Sequence, residues 1–110
     1  MLVTDDVDSD IIQRFERIRN HKNIQGIILI NEEGNPIRSS LDTSTSLHYS
    51  RHANELKLIS QDIVRDLNPD DELTVLRLRT EHNEIMMLPN KEQMVVCIQA
   101  CEKNLETEEL

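Results

Sequence analysis

The chain reads as an α+β domain, a five-stranded antiparallel sheet with flanking helices in the order α-β-β-α-β-β-β. Three observations predict it. Runs of five to eight residues with strand-like apolar content recur, each bounded by Asn, Asp, Gly or Pro turn signals. Two longer stretches carry apolar residues at helical spacing. The turns between successive strand runs are short, which suits hairpins rather than crossovers. At 110 residues there is room for one domain, burying roughly two-thirds of its unfolded surface. Phe15 and Tyr49 are the only aromatics, so the core is aliphatic.

Residues 1–8 are acidic and read as a disordered lead-in to a domain spanning 9–100. Asp8 or Ser9 can cap a first helix running to about His21, with Asp10 in its positive first turn. Ile11, Phe15 and Ile18 form its apolar stripe, and Arg14, Arg17 and Arg19 lie largely off it. Ile24 to Ile30 is a buried strand, in which Gly26 predicts a bulge or the close approach of a helix. Asn31 to Asn35 is a turn with Gly34 available for positive φ, and Pro36 to Ser40 returns as a short strand to complete a hairpin.

Leu41 to Ser46 is hydroxyl-rich. A phosphorylation segment is one reading; the start of a helix, with Ser44 or Asp42 as N-cap, is preferred. A long helix follows from about Ser44 to Leu67. Leu56, Ile59, Ile63 and Leu67 form its main stripe, with Tyr49, Ala53 and Ser60 on a flanking line whose small residues would admit a second helix. Pro69 ends it.

The strand Leu73 to Thr80 is the pivot. Leu73, Val75, Arg77 and Arg79 point one way and Thr74, Leu76, Leu78 and Thr80 the other, so each face is part apolar and part polar. That suits a sheet edge to which a second copy adds its own strand. Glu84 to Leu88 and Gln93 to Gln99 are the last strands; Met94 to Ile98 is apolar on both faces and hence interior. Residues 101–110 form an acidic, mobile tail.

The formal charge of −9 is concentrated at the two ends. Nothing basic clusters, which disfavours nucleic acid and an anionic membrane. No apolar run reaches the roughly 20 residues of a span, so direct membrane insertion is not expected and a cytoplasmic location is. Cys97 and Cys101 would lie ~13 Å apart on a continuing strand, too far for a disulfide unless a turn intervenes. Reduced thiols are the simpler reading.

No enzyme chemistry is legible. His48 and His52 have the i, i+4 spacing of a metal pair, yet no third ligand is evident, and two surface or interface histidines are preferred. His21 and His82 stand alone in turns. The only glycines, Gly26 and Gly34, make no phosphate loop. Asp70-Asp71 and Glu32-Glu33 fall in solvated turns, and Met86 and Met87 read as core or interface filler. No cofactor, metal or catalytic residue is expected.

Assembly is therefore the better expectation. A homodimer would form through Tyr49, Ala53, Leu56 and Ser60 of the long helix. Its strand contribution would be Leu73, Thr74, Val75 and Leu76, continuing through Arg77, Leu78 and Arg79.

Ile24-Gln25-Gly26-Ile27-Ile28, Asn31 with Gly34, and Pro36-Ile37-Arg38-Ser39 closely resemble the roadblock family of dynein light chains. So do Arg65-Asp66-Leu67, Pro69, Asp71 with Leu73-Thr74, Leu76-Arg77 and Arg79, and Asn83-Glu84-Ile85-Met86. The resemblance runs from about Ile12 to Ala100; the acidic ends exceed what a minimal family member needs. It implies a roadblock/profilin-like sandwich, dimerised through the pivot strand and the long helix into one continuous sheet. It also implies a cytoskeleton-associated role, bound to the dynein intermediate chain and supporting cargo transport along microtubules. Leu47, Tyr49, His52 and Ala53 would line the partner groove. Regulating or scaffolding a small GTPase is the alternative on a similar fold, and Arg77 and Arg79 are its only candidate arginines.

Overall fold

The computed structural model describes residues 9–20 and 23–101. Its elements are α1 (Ser9–Arg19), β1 (Ile24–Ile30), β2 (Pro36–Ser39), α2 (Thr43–Leu67), β3 (Leu76–Arg79), β4 (Asn83–Pro89) and β5 (Met94–Ala100). The strands make one antiparallel sheet in the order β2-β1-β5-β4-β3. The α+β architecture is as expected, with the pivot strand at an edge. Asp8, His21, the lead-in and the tail beyond Cys101 lie outside the described residues, as do the side chains of Ile11 and Ile18.

β1 and β5 are central, and their unbroken apolar runs serve both faces. Ile28, Ile30, Val96 and Ile98 join Met87, Met94 and Ala53 on the α2 side. Ile27, Leu29 and Val95 pack with Phe15 and Ile37 on the α1 side. Ile27 to Ile30 are all fully buried, and each side chain of that size contributes about 1.5–3 kcal/mol by leaving water.

At Gly26 the expected bulge is present, whereas the close approach of a helix is not. The β1–β5 register shifts between Ile24 and Gly26, a bulge, and a Cβ at Gly26 would stand 2.8 Å from Leu41. The close neighbour is thus the segment leading into α2 rather than a helix. Gly34 takes φ 89 in the β1–β2 turn, as required of it. Asn31 closes that turn by accepting the Asn35 amide on Oδ1 at 2.9 Å.

α2 begins one residue earlier than expected, with Asp42 in the extended N-cap conformation and no side-chain cap bond. The junction is instead tied by Ser39 Oγ, 2.6 Å from Ser46 Oγ and accepting the Leu41 amide at 3.0 Å. At the far end the Asn68 amide donates to Val64 O at 2.9 Å before Pro69 stops the helix.

Two expectations need correction. β3 starts at Leu76, not Leu73, so Leu73, Thr74 and Val75 precede the ladder. Leu76 faces Met87, and continuing that register sets Thr74 against Pro89, which has no N–H to donate. The second concerns α2. Its buried line is Ser46, Ser50, Ala53 and Lys57, whereas Ile59, Ile63 and Leu67 of the expected main stripe are 57%, 54% and 78% exposed. Ala53, expected to admit a second helix, faces its own sheet at 4% exposure.

Candidate interaction surface

Helical geometry decides which side chains share the outward face of α2. Successive residues turn roughly 100° about the axis, so 49, 52, 56, 59 and 63 fall on one narrow stripe. Their spacing of three and four residues is that of a helix–helix seam. On this chain the stripe reads Tyr49, His52, Leu56, Ile59 and Ile63, with Leu67 closing it. Tyr49 and Leu56 lean partly into the α2-side core, while His52, Ile59, Ile63 and Leu67 face solvent. Ser60 is half-buried beside them.

Beside the first half of this stripe lies an open cleft of about 480 Å³, lined by Ser44, Thr45, His48, Tyr49, His52 and Ile85. Leu78 is the cross-strand partner of Ile85 and is 39% exposed, so the apolar floor continues onto β3. β3 pairs with β4 alone among the described strands. An apolar helix face, an apolar cleft and an edge strand therefore adjoin on one side of the molecule.

The expected partner groove is only partly assembled. Tyr49 and His52 line the cleft; Ala53 is in the core. Leu47 sits roughly 200° around the helix from Tyr49, so it cannot share that surface. Ile59 and Ile63 were the residues missed as surface, and the three-four spacing with Tyr49, His52 and Leu56 was the available signal.

The His48 and His52 rings lie 5.2 Å apart, tilted by 33°, and His52 Nδ1 is 3.7 Å from exposed Glu55. Among the described residues no three His, Cys, Asp or Glu side chains are grouped to hold a metal. Cys97 and Cys101 are free thiols. Burial, and secondarily Glu84, pushes the Cys97 thiol up, which suppresses the reactive thiolate. On the other face of the sheet Arg77 and Arg79 both approach Glu84, at 3.7 and 3.8 Å. No described helix is long and apolar enough to cross a membrane.

Comparison with known proteins agrees with this architecture. The chain is similar to a Roadblock/LC7 domain of Streptomyces avermitilis at a TM-score of 0.72 and 9% identity, covering 77% of this chain and 72% of that one. It is similar to MglB of Myxococcus xanthus at 0.65 and 13%, covering 92% and 88%. It is also similar to an MglB in a tetrameric arrangement at 0.68 and 9%, covering 91% and 81%. Likenesses at such identities establish the fold. The family model of the Roadblock/LC7 domain matches residues 13–100, the whole of the sheet and both helices but for the first turn of α1, and the chain belongs to that family.

Proposed function

We propose that the protein is a non-catalytic dynein light chain, a homodimer that holds a segment of the dynein intermediate chain and so supports cargo transport along microtubules. The observation that carries the assembly half is the outward stripe of α2 beside the β3 edge. A contiguous apolar face next to an edge strand is costly to leave in water and prone to wrong pairing. A two-fold copy that lays α2 against α2 and β3 against β3 covers both features, with roughly 1,600 Å² as the scale of a specific interface. The partner's identity rests on the resemblance to roadblock light chains, and its mode on the cleft at Tyr49 and His52. Where two copies meet, that cleft becomes part of a groove able to take a partner helix.

Light scattering should give twice the 12.8 kDa chain mass at micromolar concentration. Calorimetry with an intermediate-chain fragment should then show one fragment pair per dimer. Absence of heat at about 100 μM, where a binding energy of about −5.5 kcal/mol would register, overturns the dynein assignment. The second reading, regulation or scaffolding of a small GTPase, is favoured by the two adjacent arginines on β3. Binding of a GTPase in place of the fragment would establish it.

A further inference from the structure

The face of the sheet opposite α2 is unevenly covered. α1 lies over β1 and β5. Farther out, β3 turns Arg77 and Arg79 to that side, since Leu76 joins the α2-side core and side chains alternate along a strand. Arg77 Nε is 3.7 Å and Arg79 Nη2 3.8 Å from the Glu84 carboxylate on β4. Glu84 is 15% exposed, whereas Arg77 is 59% and Arg79 46% exposed. The two guanidiniums thus cover a carboxylate beneath them and present their outer surfaces to solvent. Against the one carboxylate of Glu84 the two guanidiniums leave one formal positive charge, in a chain of formal charge −9.

The end of β5 is brought to the same place. Ala100 pairs with Asn83 at the start of β4. The Cys101 amide donates to His82 O at 3.1 Å, and Cys101 Sγ lies 3.8 Å from Thr80 O. The chain therefore leaves the sheet at the β3–β4 turn, beside the residue that follows Arg79. The nine residues beyond carry Glu102, Glu106, Glu108 and Glu109 against Lys103. At up to ~3.5 Å per residue, Glu106 can travel ~17 Å from Cys101, more than the ~7 Å separating alternate residues of a strand.

We propose that Arg77 and Arg79 form the docking site of the chain's own acidic C-terminal segment, residues 102–110. Each guanidinium offers a planar fork of five N–H donors, more than a single carboxylate can take, and both side chains are about half exposed to an incoming one. The attachment is electrostatic, at a partly exposed site, and so is weak and salt-sensitive. It uses the side chains on the sheet face and leaves the outer backbone edge of β3 open, so it does not rest on the proposed dimer. In effect, the segment is a built-in competitor for any acidic partner that would use the same arginines.

Paramagnetic relaxation tests this in the full chain. Glu108→Cys, in a Cys101→Ser background, carries a nitroxide label, and the buried Cys97 thiol remains unmodified. At ~10 mM salt, where screening extends ~30 Å, the Arg77 and Arg79 amides should broaden several-fold. The broadening should vanish at ~1 M salt and in Arg77→Glu with Arg79→Glu. Because that pair can disturb the sheet through Glu84, a second variant neutralises the segment instead, by Glu102→Gln, Glu106→Gln and Glu109→Gln, and should weaken the broadening equally. Three results would overturn the proposal: no broadening at low salt, broadening strongest at Ile59 and Ile63, or broadening seen only between differently labelled chains.

Discussion

On the half of the α2 circumference that meets the sheet, small and polar side chains are buried, Ser46, Ser50, Ala53 and Lys57, whereas off that line Leu58, Ile59, Ile63 and Leu67 stand largely in solvent. Residue type alone would assign these the other way round. The difference shows that burial here is set by what lies beneath the helix. Over the sheet, tight backbone approach favours Ser and Ala, and Lys57 fits by laying its apolar stem along the surface. The aliphatic stripe faces outward, on the same side as His52, and Ile59, Ile63 and Leu67 each stay more than half exposed. The proposed dimer would be what covers it.

The contrast can be broken most strongly from the docked half. Ala53→Glu places an uncompensated carboxylate at a position that is 4% exposed. A loss of about 3 kcal/mol or more is expected, read as a large fall in Tm by circular dichroism. Ile59→Glu with Ile63→Glu makes the complementary change on the free half. The monomer should keep its circular dichroism, while dimer Kd measured by sedimentation rises by roughly 100-fold or more. Loss of helical signal in that variant would mean the stripe supports the fold itself.

Smaller changes sharpen the picture. Gly34→Ala puts a Cβ 2.8 Å from Asn54 Nδ2 of the docked half, at φ 89. It should cost about 1–2 kcal/mol in urea unfolding and leave the dimer constant alone. Ser50→Ala should have the least effect. Ser50 is fully buried, and its Oγ has no hydrogen-bond partner. Removing that hydroxyl should change stability by less than about 1 kcal/mol, in the stabilising direction if at all.

Much of this molecule was legible in its residues. The order of elements, the central place of Met94 to Ile98, the turn at Gly34 and the stop at Pro69 each follow from local chemistry, and the structure bears them out. What failed depended on relations between elements. The start of β3 is fixed by Pro89 on its neighbour, which no periodicity within Leu73 to Thr80 reveals. The inward face of α2 is fixed by the direction in which the helix crosses the sheet. A stripe of leucine and isoleucine indicates burial against something, but not whether that something belongs to the same chain. Leu47 was misplaced for a simpler reason, since two residues along a helix is more than half a turn.

The last strand in sequence stands in the middle of the sheet, hydrogen-bonded to β1 on one side and β4 on the other. This has a consequence for synthesis. A nascent chain can form the β1–β2 hairpin and later the β3–β4 hairpin, but neither can join the other until β5 has left the ribosome. At about 5–20 residues per second, the interval from Ile30 to Ala100 is several seconds. Throughout it, the inner edge of β1, with Ile27 to Ile30 beside it, has no strand to pair with. The protein is therefore most open to mispairing while it is being made, and a holding chaperone would act on that window.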